Sequence, residues 1–212
     1  MAKVFAYVAQ QAATAAINIL CMTANKLNVG CGRNLIPGWI NLDSYPLAGV
    51  DIVADLETCG STSLPLADAS VDEFLLSHVM EHIRNVLPMM QELHRVAAPG
   101  ARMTVRVPYG ATDDAFEDPT HVRQLFAGSF GYFSQPYYWR ADYGYRGDWL
   151  TETVTLEVQR SLAHLPDAEL WDRVNRERNV VTEMIATLRA VKPIREPKRE
   201  LQQSPTVYLL RP

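Results

Sequence analysis

Residues 26–43, KLNVGCGRNLIPGWINLD, decide how the rest of the chain is read. Leu27, Asn28 and Val29 make a short run suited to a buried strand. Gly30 and Gly32, on either side of Cys31, lack the Cβ that would hold a ligand off the main chain where that strand ends. Residues 39–42 form a second apolar run closing on Asp43, whose carboxylate can accept hydrogen bonds from the adjacent hydroxyls of a ribose. A glycine turn, then an acid at the end of the next strand, is an order that suits an adenosine. A Gly-x-Gly after a strand is also an ordinary tight turn, so the remaining segments must decide.

The chain has 212 residues, enough for one α/β domain with additions. Hydrophobic content of 48% and charged content of 21% are those of an ordinary globular protein, which excludes a disordered or fibrous chain. A net charge of −4 argues against gripping nucleic acid through an overall positive field. Three cysteines without a C-x-x-C pair indicate neither a disulfide framework nor a zinc site, and a reducing cytoplasm is the expected location. Residues 4–22 are apolar, but Gln10, Gln11, Thr14 and Asn18 interrupt the run. Phe5, Val8, Ala12, Ala15, Ile19 and Leu20 recur at helical spacing, so residues 1–25 are expected to be a helix packed on the core rather than a signal or membrane segment.

Residues 50–54 read as a third strand ending at Asp55, and residues 71–77 as a fourth. Residues 85–97 read as a helix with Leu87, Met90, Leu93 and Val96 or Ala97 on one face, and residues 103–107 as a fifth strand ending at Pro108. Gly30, Asp43, Asp55, Ser77 and Pro108 thus all fall at strand ends, where doubly wound sheets bind their ligands. The connections on either side of the second strand are too short for crossover helices, so the N-terminal helix is expected to cover that face.

Residues 26–160 are expected to form the core, with an aromatic cap over residues 109–149. Residues 150–158 and 206–210 read as paired strands at the antiparallel end of a seven-stranded sheet. Between them, residues 161–205 read as a basic helical insertion. There Asp167 caps a long helix with Leu170, Val174, Val181, Ile185 and Leu188 along one face. Its arginines and lysines are first a solvated face, second a homodimer contact and third a nucleic-acid contact.

Five ordered blocks, LNVGCG (27–32), GWINLD (38–43), DIVADL (51–56), LPLADASVDEFLLSHVMEHI (64–83) and ELHRVAAPGARMTVRVP (92–108), carry a family resemblance. In them the sequence resembles the class I S-adenosylmethionine-dependent methyltransferases, in particular the type 11 branch. The resemblance implies an α/β fold with a doubly wound, Rossmann-like sheet, mainly parallel with an antiparallel C-terminal strand. It implies S-adenosyl-L-methionine as cofactor. Gly30, Cys31 and Gly32 would pass its methionine portion and ribose, Asp43 would hold the ribose, Asp55 with the Leu56 backbone would meet the adenine, and Ser77 with His78 would line the methionine side. Asn28 stands where the family usually has an acid; its amide could reach the cofactor's ammonium or a loop backbone.

The activity implied is methyl transfer to a small polar acceptor such as a sugar, glycan precursor or metabolite. A cofactor-binding partner subunit without catalysis is the alternative, and a nicotinamide oxidoreductase a third, disfavoured by the shortened glycine loop.

His78, Glu81 and His82 spell H-x-x-E-H, the pattern of inverted zinc peptidases. That chemistry needs both histidines on one helix face, whereas residues 74–76 run into His78 as a strand, so no metal ligand set is expected there. Tyr109, Asp118, His121 and Arg123 follow the fifth strand in a polar loop at the rim of the site, where they could recognise a polar substrate. His121, then His78, are the candidates to take a proton from an alcohol or phenol acceptor. The same loop residues could instead be a turn starting a short helix at residues 122–126. The aromatic side chains of residues 130–149 could cap a substrate or form a satellite core.

Overall fold

The computed structural model describes residues 26–212, so the expected N-terminal helix lies outside the described residues. Among the described residues eight strands, one more than the seven expected, form one sheet: β1 (Lys26–Val29), β2 (Ile40–Asp43), β3 (Ile52–Val53), β4 (Val71–Ser77), β5 (Ala97–Pro108), β6 (Trp149–Val158), β7 (Val181–Ala190) and β8 (Thr206–Leu210), in the order β3-β2-β1-β4-β5-β7-β6-β8. Strand β7 runs antiparallel to β5 and β6, and every other pair is parallel. This is the mainly parallel, doubly wound α/β sheet expected, although its antiparallel strand is β7 rather than the C-terminal β8. From β1 the chain steps outward to β2 and β3, then returns across β1 to β4. The reversal leaves a crevice beyond the carboxyl ends of β1, β2 and β4.

Helix α1 (Val86–Val96) follows from spacing: Val86, Met89, Met90, Leu93 and Val96 recur at three and four residues and are buried. Trp149, fully buried at the start of β6, donates its indole N–H to Met90 O at 3.0 Å, and its ring meets Phe74 of β4 and His94 of α1 edge-on. One aromatic side chain therefore joins α1 to the sheet. The connections flanking β2 contain no helix. In place of one, Asn28 Nδ2 donates to Asn34 O and Asn41 Oδ1, each at 2.9 Å, and Asn41 Oδ1 also accepts from Ile36 N at 2.9 Å. Two buried asparagines fix the loop that a crossover helix would otherwise replace.

The C-terminal part corrects the reading of a long helix. Helix α2 (Asp167–Arg176) has ten residues; Asp167 is its first helical residue rather than its cap, and pairs with Arg211. Residues 181–190 are strand β7, with Val181, Met184, Ala186, Leu188 and Ala190 buried. Val181, Ile185 and Leu188 fit a helical period, but Met184, Ala186 and Ala190 alternate with Leu188 at period two, and the Val, Ile and Thr residues favour a strand. Strands β6 and β8 are partners, but pair parallel because β7 makes the reversal between β5 and β6.

Nor is the basic segment an open positive face. Arg173 pairs with Glu169, Arg176 with Asp172, Arg178 with Asp113, Arg189 with Glu152 and Arg195 with Asp148. The last pair is buried: Asp148 is 0% exposed, and Arg195 Nε and Nη2 each donate to it at 2.8 Å. Among the described residues no helix is long and apolar enough to cross a membrane.

His94 is a buried titratable group of this packing. Its Nε2 faces Val191 O at 3.1 Å, so the neutral ring carries its proton there. Burial, with Lys192 adding to it, holds the His94 pKa below its ordinary value, although Val191 O and Asp148 pull it up. Above the unfolded pKa both states are neutral and His94 adds no pH dependence. As pH falls through that value the unfolded chain takes up a proton that the folded chain refuses, and stability is lost until the folded pKa is passed. The urea midpoint of wild type is therefore expected to fall further between pH 7.5 and pH 5 than that of His94→Gln; equal slopes would remove His94 from the acid response.

Candidate functional site

The crevice at the reversal holds a cleft of about 210 Å³ lined by Gly30, Asp43, Ser44, Asp55, Leu56, His78, Val79, His82 and Ile83. Each wall follows from a strand end. Gly30 takes φ +63° just after β1, and a Cβ there would stand 2.5 Å from Val79 Cγ2, so only glycine lets the backbone lie this close. At the end of β2, Asp43 Oδ2 accepts from Gly32 N at 2.7 Å and Oδ1 from Tyr45 N at 2.9 Å. The glycine loop and the acid are thus one unit. Each carboxylate oxygen keeps a further lone pair. Asp55 caps the short turn Leu56–Thr58 by accepting from Glu57 N at 2.9 Å, and Leu56 is buried beneath it.

His78 follows β4 with φ +54°, a left-handed conformation uncommon for a side chain this size. Its N–H donates to Arg106 O at 2.9 Å, which fixes the backbone. Nδ1 stands 3.3 Å from Glu81 Oε1 and Nε2 3.1 Å from Glu183 Oε1, and Glu183 also pairs with Arg106. Glu81 first, then Glu183, push the His78 pKa above its ordinary value, against the effect of burial.

Of the residues the sequence pointed to, Gly30, Asp43, Asp55, Leu56 and His78 meet in this cleft, and Gly32 supports Asp43 from behind. Asn28, Cys31 and Ser77 are not among the lining residues. Asn28 is spent on the β1–β2 loop, and Cys31 is buried, its thiol pKa raised chiefly by that burial. Ser44, Val79, His82 and Ile83 were missed. Val79 and Ile83 are apolar residues whose spacing reads as core, and only the turn at Met80–His82 aims them at the cleft.

The loop after β5 is bound to the turn after β4. Val122 N donates to Glu81 O at 2.9 Å, and the Arg123 guanidinium donates to Ile83 O and to Arg84 O, the latter at 2.9 Å. Arg123 is therefore a clamp between two loops, with its charge committed to backbone carbonyls. The helix expected at residues 122–126 is absent, because Leu125 bridges to Tyr109 and extends the chain there. Tyr109 packs edge-on to Phe126, and burial raises its pKa. Asp118 Oδ1 accepts from Thr120 N at 2.8 Å and from Thr120 Oγ1 at 2.6 Å, a local turn that holds its carboxyl below the usual range. His121 is carried onto His82, with ring centroids 4.7 Å apart. In the aromatic segment Phe130, Phe133, Tyr138, Tyr145 and Trp149 join the main core, whereas Tyr132 and Tyr143 are exposed. Most of the expected cap is therefore core.

Residues 27–105 match a family model described as a methyltransferase domain. The chain is similar to a solved structure of a SAM-dependent methyltransferase from Archaeoglobus fulgidus, with a TM-score of 0.54 and 15% identity over 86% of this chain and 93% of that one. It is also similar to a SAM-dependent methyltransferase from Thermotoga maritima described as a possible histamine N-methyltransferase, with a TM-score of 0.50 and 15% identity over 84% of this chain and 86% of that one. These likenesses establish a shared fold. No curated protein matches the chain.

Proposed function

We propose, on the premise that the chain belongs to the class I S-adenosylmethionine-dependent methyltransferases, that it transfers a methyl group to a small polar acceptor, a sugar, glycan precursor or metabolite. The observation that carries the reading is the cleft at the strand-order reversal, where Gly30, Asp43, Asp55 and His78 converge from three strand ends and the turn after β3. Its residues fit the cofactor in kind. Asp43 has lone pairs for ribose hydroxyls, Asp55 can accept from an adenine amino group, Leu56, Val79 and Ile83 give a flat ring an apolar bed, and the bare Gly30 backbone leaves room for the chain leading to sulfur.

When bound, S-adenosylmethionine supplies a methyl group on a positively charged sulfur. The protein's work is to aim the acceptor in line and exclude water. His78 faces the cleft with its ring nitrogens beside the Glu81 and Glu183 carboxylates, which favour the charged imidazole. His121 is turned toward His82. An amine acceptor could lose its proton to water and would need no base.

Turnover of isotope-labelled methyl donor over a panel of sugars, sugar nucleotides, amines and phenols tests the proposal. Transfer to at least one class is expected. S-Adenosylhomocysteine binding with no transfer to any acceptor would contradict it and favour the non-catalytic partner.

A further inference from the structure

Behind the cleft, Glu81, His82 and His121 converge with ligand atoms all within 4.8 Å of one another. Glu81 is 2% exposed, and neither carboxylate oxygen has a hydrogen-bond partner; His121 Nδ1 is likewise buried and without one. His78 Nδ1 lies 3.3 Å from Glu81 but off the direction a hydrogen bond requires. An ionised carboxylate buried without donors is costly, and such a group is normally paired or coordinated to a metal.

The surroundings set the tautomers of both histidines. Thr120 Oγ1 has one proton and gives it to Asp118 Oδ1 at 2.6 Å, so toward His82 Nδ1, at 2.9 Å, it acts as acceptor. His82 therefore carries its proton on Nδ1 and its lone pair on Nε2. Asp118 Oδ2 stands 3.8 Å from His121 Nε2 and favours a proton there, which leaves the lone pair on the unpartnered Nδ1. Two imidazoles with a lone pair each and a buried carboxylate that accepts no hydrogen bond thus share one cluster, with His78 Nδ1 at its edge, and each histidine has an oriented partner behind it. That is the arrangement of ligands around a cation with its outer shell in place.

We propose that Glu81, His82 and His121 bind one divalent metal ion of the zinc class, with coordination positions left open toward the cleft that His82 also lines. Two imidazoles and a carboxylate suit zinc or a similar borderline ion better than magnesium or calcium. A zinc ion about 2.1 Å from each ligand would set the ligand atoms roughly 3.4 Å apart, so the cluster has to close by about an ångström. The sequence pattern H-x-x-E-H alone points to the wrong set. His78 does stand at the end of β4, and the third ligand is His121, delivered by the loop pinned through Val122 and Arg123. A cation there would place positive charge beside the acceptor side of the cleft, favouring an acceptor with a hydroxyl or anionic oxygen. The binding site itself does not depend on the methyl-transfer reading.

The test is titration of the chelator-stripped full chain with Zn²⁺ by calorimetry and with Co²⁺ by visible absorption. One equivalent is expected to bind, and Glu81→Gln, His82→Gln and His121→Asn should each weaken it by about 100-fold, whereas the exposed His164→Gln should not. No one-equivalent step, or a step surviving in Glu81→Gln and His121→Asn, overturns the site. If a variant fails to fold by circular dichroism, histidine ¹⁵N shifts of wild type with Zn²⁺ decide. Movement of His82 Nε2 and His121 Nδ1 supports the site, and movement of neither overturns it. S-Adenosylhomocysteine titrated into the same samples separates loss of the metal from loss of the cofactor site.

Discussion

Replacing Arg195 with alanine is expected to destabilise the fold by about 3–5 kcal/mol, among the largest effects available to one substitution in this chain. Asp148 is 0% exposed and accepts from Arg195 through Nε and Nη2, each at 2.8 Å, and through the Arg195 backbone N–H at 3.0 Å. Gln135 N adds a contact at 3.2 Å, and Arg195 Nη2 also donates to Ser134 Oγ at 2.9 Å. The pair thus holds together the segment before β6, the aromatic segment and the chain after β7. Removing the arginine leaves a carboxylate buried with only weak donors. A melting temperature lower by about 6–20 °C is expected for a chain of this size. Asp148→Ala should act in the same direction, and Asp148→Leu combined with Arg195→Met should recover much of the loss, because an apolar pair leaves no stranded charge. Additive losses in the double variant would mean that these residues act separately.

The second large effect concerns binding. Asp43→Ala is expected to weaken S-adenosylhomocysteine binding by about 10- to 150-fold, the loss of one hydrogen bond to a charged acceptor at about 1.5–3 kcal/mol. The Gly32 N–H, which now donates to Asp43 at 2.7 Å, would also lose its anchor and loosen the glycine loop. Asp43→Asn keeps the shape and can still accept, so it should fall between wild type and alanine. Calorimetry on the three proteins checks the order, and an unchanged affinity in Asp43→Ala would remove Asp43 from the site.

Much of the sheet was legible because β1, β2, β4 and β5 are short apolar runs ended by Gly30, Asp43, Ser77 and Pro108. Legibility failed where one set of residues satisfies two periods. Val181 and Leu188 lie on a helical stripe and on a strand face alike, and only the β5 and β6 edges that β7 fills between them settle the choice.

The candidate site divides in the same way. Gly30, Asp43, Asp55 and His78 sit at strand ends, which local sequence marks. Of the two partners open to Asn28 it meets the loop backbone, at Asn34 O, while its other partner, Asn41, lies 13 residues away and is marked by no local spacing. Arg123 has a clamp's role only because Ile83 and Arg84 present their carbonyls to it. The convergence of His121 on Glu81 and His82 spans about 40 residues and depends on two loops being pinned together, which no local spacing records.

We assign the crevice beyond β1, β2 and β4 as the proposed adenosine site for S-adenosylmethionine. A crystal structure of the full chain with S-adenosylhomocysteine tests it most directly. The ribose hydroxyls are expected on Asp43, the adenine over Leu56 beside Asp55, and the sulfur side of the ligand past Gly30 toward His78. A ligand bound elsewhere, or a crevice that stays empty at saturating ligand, would contradict it.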